Sequence, residues 1–193
     1  MLNKTIFVIF LIFVIVLFKY LYGENVTYEN YRDGKFLVRN RDDKKDAAQM
    51  LHKLRESLIN FINELVIEAE KKKMHEEMYP YIKTIQKRLP NSHIRESSHG
   101  SKYTSYTTNK GEEIVLCLRS KETGKLHDMN EIMYVAIHEI AHVGCPEIGH
   151  TNLFYKINEF LLEQAIKKGY YKYIDYSKDP RKYCGITLTS NIL

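Results

Sequence analysis

With 193 residues, 44% of them hydrophobic, the chain has room for one compact domain with a real core, and it shows no repeat or low-complexity tract. Its net charge of +5 is dispersed, and without a basic stripe interleaved with aromatics it does not argue for a nucleic-acid surface. The three cysteines, Cys117, Cys145 and Cys184, are odd in number and lack C-x-x-C spacing, so no disulfide framework is expected and a reducing setting is the simpler inference.

The chain begins with IFVIFLIFVIVLF, an unbroken apolar run over residues 6–18. Counted on to Tyr22 it reaches the lower limit for crossing a bilayer, about 17 residues. The following LYGEN lacks a small-x-small cleavage site. The expectation is an N-terminal anchor over residues 1–23, contacting the membrane through residues 6–22 with Tyr20 and Tyr22 at the interface. Lys19, Arg32, Lys35, Arg39 and Arg41 follow the run and only Lys4 precedes it, which places the domain of residues 24–193 on the cytosolic side of a single-pass membrane protein. The alternative is a secreted or lumenal domain after signal cleavage, which the Asn25-Val26-Thr27 sequon would suit.

Residues 27–39 alternate about Asp33-Gly34, a two-residue hairpin turn. From Asp43 to Lys73 an apolar stripe of Leu51, Leu54, Leu58, Phe61, Ile62, Leu65 and Val66 predicts a long helix, whose terminal Lys71, Lys72 and Lys73 complement its dipole. A shorter helix follows over Tyr81–Leu89, closed by Pro90. Residues 91–102 are polar and aperiodic and read as a loop. In TSYTTNKGEEIVLCLR the Asn109-Lys110-Gly111 turn separates two runs of strand formers. On the second run Ile114, Leu116 and Leu118 face one way, with Val115, Cys117 and Arg119 the other.

The stretch DMNEIMYVAIHEIAHVG carries the chemistry. Asp128 with Glu131 reads as a capping box, and from Ile132 to Val143 the helix is apolar almost all round, which marks it as buried. Within it His138 and His142 stand four residues apart, so their imidazoles project together and can close on one metal ion. Isolated, these polar groups would be costly to bury; a metal ion offsets that cost. Glu139, between them, is placed to reach a water rather than the metal. This is the H-E-x-x-H arrangement in which the glutamate is a general base. Gly144 and Pro146 end the helix.

A catalytic zinc needs a third protein ligand and an open fourth position. His150, after the Gly-Cys-Pro turn, is the first candidate; Glu159, in INEFLLEQ on the next helix, is the second. Cys145 follows His142 too closely to share the metal and reads as a small buried residue. Thr151 N-caps a helix running to Lys168, with Leu153, Phe154, Ile157, Phe160, Leu161 and Ala165 inward. Beyond Gly169 come the tyrosine-rich YYKYIDY and a tail, RKYCGITLTSNIL. Tyr183 could offer a phenol to a reaction intermediate, though packing is the plainer role for one of fifteen tyrosines.

HEIAH, followed by Gly149-His150 and Phe154, resembles the WLM and SprT-like zinc metallopeptidases, including versions encoded by large DNA viruses, and TSYTTNKGEEIVLCLR resembles the strand pair before their active-site helix. The resemblance spans residues 26–193. It implies an α+β, zincin-like domain: a central H-E-x-x-H helix, a small, mostly antiparallel sheet and flanking helices. One catalytic zinc would sit on His138, His142 and His150, with Glu139 as base and a protein or peptide as substrate. The alternatives are a membrane-tethered binding module with a structural zinc, and a nucleic-acid-associated protease trimming proteins crosslinked to DNA.

Overall fold

The computed structural model describes residues 4–22, 25–72 and 76–189, which form an α+β molecule of helices and three small sheets. A first helix, α1 (Lys4–Tyr22), precedes the antiparallel hairpin of β1 (Val26–Tyr31) and β2 (Gly34–Arg39). Tyr31 pairs with Gly34, so Arg32 and Asp33 form the two-residue loop, one position earlier than the Asp33-Gly34 turn that alternation predicts. Arg32 takes the positive φ such a loop requires.

The anchor expectation is corrected here. Among the described residues no helix is long and apolar enough to cross a membrane. The uninterrupted apolar run of α1 stops at Phe18, and thirteen residues rise only about 20 Å, against a hydrocarbon core of about 30 Å. Membrane contact through residues 6–22 and the single-pass localisation fall with it. The side chains of Lys4, Lys19, Tyr20 and Tyr22 lie outside the described residues, as do the expected boundary at residues 23–24 and Lys73.

Helix α2 (Lys44–Lys72) buries all seven residues of its predicted stripe, from Leu51 to Val66. Helix α3 (Tyr79–Arg88) passes into a 3-10 turn, Leu89–Asn91. The segment expected to be a loop then contains a strand, β3 (His93–Glu96), parallel to β5 (Glu113–Leu116), while β4 (Tyr106–Thr108) pairs with β5 antiparallel. The order β3-β5-β4 makes β5 the internal strand and leaves β4 at an edge. Helix α4 (Met129–Gly144) packs against α3, against β4 and β5, and against α5 (Asn152–Lys167). The tail forms a second hairpin, β6 (Arg181–Tyr183) and β7 (Ile186–Leu188).

Two buried connections hold this frame. Glu96, fully buried, accepts from Arg119 Nε at 2.8 Å and from the Arg39 backbone N–H at 2.7 Å, while Arg119 also pairs with Asp43. The second connection is a Cys117–Cys184 disulfide, with Cα atoms 6.2 Å apart, which fastens the β6–β7 hairpin beyond the end of β5. It corrects the expectation of unpaired cysteines and removes the basis for inferring a reducing setting. Its two halves are separated by 67 residues, a spacing without a local signature.

Candidate active site

The site begins with how α4 starts and stops. Asp128 caps it by accepting from the Asn130 N–H at 2.8 Å. The helix ends at Gly144, and the chain turns through Cys145–Gly149, where Gly149 adopts a φ of 83° that an L side chain would strain. Lys110, in the β4–β5 turn, donates its ammonium to the carbonyls of Cys145 (2.8 Å) and Glu147, pinning this return loop. Thr151 then caps α5 by accepting from the Phe154 N–H. His150 therefore comes back over the face of α4 that carries His138 and His142. Its Nε2 lies 3.1 Å from Nε2 of His138 and 3.2 Å from Nε2 of His142. Phe154, one turn into α5, stacks on the His142 ring at 4.1 Å and touches the other two imidazoles.

These three nitrogens fit a metal ion. A tetrahedral zinc with bonds of 2.0–2.1 Å separates its ligand atoms by about 3.3 Å, close to the distances found. Burial first, and the neighbouring imidazoles second, push His138 down to about 4; for His142 burial, then His150 and Lys110, do the same. Both are thus neutral near pH 7, the form in which imidazole offers a lone pair. Three nitrogens converging without a carboxylate among them lack a proton donor for each contact, and a cation satisfies all three at once.

Glu139 stands apart from that cluster. It is 4% exposed, on the side of α4 that meets β4, and its Oε2 accepts from the Thr107 hydroxyl at 2.8 Å. The same hydroxyl lies 3.1 Å from the Glu139 carbonyl, but it has one proton to give and the carboxylate is the nearer, stronger acceptor. Burial raises the Glu139 carboxyl to about 7, opposed by the Thr107 hydrogen bond. Such a group can take up and release a proton near neutral pH.

Two open cavities of about 570 and 500 Å³ meet over His138, Glu139 and His150. One runs past Tyr106, Thr107 and Lys110; the other passes between Tyr134 and the β6–β7 hairpin. Edge strand β4, not β5, borders the cleft, so the first arm of the predicted strand pair offers a backbone edge beside the histidines.

Of the two candidates for the third position, His150 is brought to the pair and Glu159 is not. Glu159 is exposed on α5, five residues and so about 140° around the helix from Phe154, which faces the cluster. Cys145 is a buried free thiol outside the cluster. Tyr183 is buried in the cleft wall with its hydroxyl 3.0 Å from Ser105 Oγ, and burial holds its phenol well above the ordinary tyrosine range. Thr107, Lys110 and Ser105 were not singled out from sequence. Each acts across elements, and only the β4–β5 turn chemistry around Lys110 hinted at any of them.

Comparison with known proteins places this geometry in a family. The WLM domain model matches residues 29–189. Uncharacterized protein R325 of Acanthamoeba polyphaga mimivirus is 42% identical over 158 residues, covering 82% of this chain and 79% of that protein. Uncharacterized protein 042R of Invertebrate iridescent virus 3 is 45% identical over 87 residues, covering 42% of this chain and 50% of that protein. Among solved structures, a Wss1 mutant from Saccharomyces cerevisiae is 16% identical, covering 69% of this chain and 91% of that one, with a TM-score of 0.42. A Wss1 mutant from S. pombe is 18% identical, covering 66% and 92%, with a TM-score of 0.44. The extent of the domain match and the identity to the mimivirus protein show that this chain belongs to the WLM domain family, a protease family with relatives in large DNA viruses.

Proposed function

We propose that the protein is a zinc-dependent endopeptidase in which His138, His142 and His150 hold one zinc ion and Glu139 is the general base. The observation that carries this reading is the convergence of three imidazole nitrogens beside, but not including, a buried carboxylate. When bound, zinc supplies Lewis acidity, lowering the pKa of a water toward about 7 and stabilising negative charge on a carbonyl oxygen. Glu139 takes the proton of the attacking water and delivers it to the departing amine. Its carboxylate is held for that task by the Thr107 hydroxyl, and its raised pKa suits both halves of the transfer. The substrate backbone, in extended form, lies along β4, whose outer edge among the described residues is unpaired.

Metal analysis of the purified protein tests the ligand set. About one zinc per chain is expected, and His138→Ala or His142→Ala should abolish tight binding. His150→Ala should weaken it by several orders of magnitude, whereas Glu159→Ala should leave it unchanged. Wild-type affinity in His150→Ala would overturn the ligand set. A narrower reading, that the substrates are proteins crosslinked to DNA, follows from the family alone. DNA affinity that falls steeply with salt would support it.

A further inference from the structure

The two halves of the cleft differ in charge. One carries the Lys110 ammonium beside Asn109, Tyr106 and Ile148. The other is walled by Tyr134, Val135, Tyr155, Tyr183, Ile186 and Leu188, and apart from the site's own His138, Glu139 and His150 no titrating acid, imidazole or cation faces it among the described residues.

Two of these lining side chains, Ile186 and Tyr155, stand 48% and 46% exposed. Large apolar side chains left in water around a concave site mark a surface that a partner covers. The wall is also built to keep its shape. Tyr183 bonds Ser105, Ser105 accepts from the Cys117 backbone N–H at 3.1 Å, and the Cys117–Cys184 disulfide ties the hairpin to the same segment.

We infer that the β6–β7 half of the cleft is a specificity subsite for one large uncharged side chain, aromatic or long apolar, carried by the substrate residue on one side of the scissile bond. A Phe, Tyr, Leu or Met side chain buries apolar area against Tyr134, Tyr155, Ile186 and Leu188. A Lys, Arg, Asp or Glu there would be desolvated without a partner. This assignment rests on the endopeptidase reading above.

The test is cleavage of a mixed peptide library by the zinc-loaded full chain, with cut sites mapped by mass spectrometry. Phe, Tyr, Leu and Met should be enriched at one of the two positions flanking the bond, at least about tenfold over Ala and about a hundredfold over charged residues. Ile186→Asp, at a half-exposed position, should reduce cleavage of a Phe-containing peptide about tenfold and raise that of its Lys counterpart. Binding of the same two peptides to zinc-loaded Glu139→Gln, measured by fluorescence anisotropy, should show the same order without turnover. Cutting with a flat or charged preference, or an Ile186→Asp profile identical to wild type, would overturn the subsite and leave the endopeptidase reading standing. No cutting of any peptide by the zinc-loaded protein would overturn both.

Discussion

Thr107 shows how one hydroxyl can hold a buried carboxylate in place. It holds Glu139 Oε2 at 2.8 Å from an edge strand that also borders the cleft. Thr107→Val, of equal shape, should lower kcat about tenfold with little change in KM or zinc content, and Thr107→Ser should restore most of it. Equal rates in Thr107→Val would show that the carboxylate is oriented by packing alone. Lys110 acts on the histidine side instead. By clamping the Cys145 and Glu147 carbonyls it fixes the loop that delivers His150, so Lys110→Ala should weaken zinc about tenfold or more while the fold persists. Zinc titration against a chromogenic chelator reads this out.

At the scale of elements, what was legible follows from locality. α2, α4 and α5 announce themselves through apolar periodicity, and Asp128 and Thr151 cap as their residue types predict. The pairing of His138 with His142 is a property of helix pitch and could be read directly. The meeting of His150 with that pair could be read only as one of two options, because the path of a return loop depends on Lys110 and Gly149 rather than on spacing. β3 and the β6–β7 hairpin were missed. β3 is four residues long and ends on a buried Glu96 whose charge is answered by Arg119 and Arg39 from distant elements, so its pattern looks polar. The two final strands have three residues each, are largely exposed and owe their place to a disulfide. The apolar run of α1 misled in the other direction, since composition resembled a span but length fell short. Glu96→Ala, which takes away the fully buried partner of Arg119 and leaves it only the part-exposed Asp43, should cost about 3 kcal/mol by urea denaturation. Thr151→Ala should cost about 1 kcal/mol.

For the molecule as a whole, acid is the informative variable. In the metal-free protein His138 and His142 hold pKa values of about 4, below the ordinary 6.5. As pH falls through 6.5, the unfolded chain binds two protons that the folded chain refuses, so stability drops down to about pH 4 and then levels off. Glu139 has the opposite sign. Its folded value of about 7 exceeds the ordinary 4.5, so the folded chain keeps a proton that the unfolded chain has lost, and stability falls as pH rises from 4.5 to 7. Between 4.5 and 6.5 the wild type should therefore show a net slope of about one proton, about 1.4 kcal/mol per pH unit, and Glu139→Gln about two. Thermal melts across that range check it. Reducing the Cys117–Cys184 disulfide should cost about 4 kcal/mol, given its 67-residue separation. All of this describes a scaffold that holds three converging imidazoles and one isolated carboxylate over an open cleft. The most direct test of that arrangement is a paired assay of wild type and Glu139→Gln for zinc content and for cleavage of an unfolded protein such as casein. Equal zinc in both, with cleavage lost at least about a thousandfold in the variant, is the result predicted. Wild-type cleavage by zinc-loaded Glu139→Gln would contradict it.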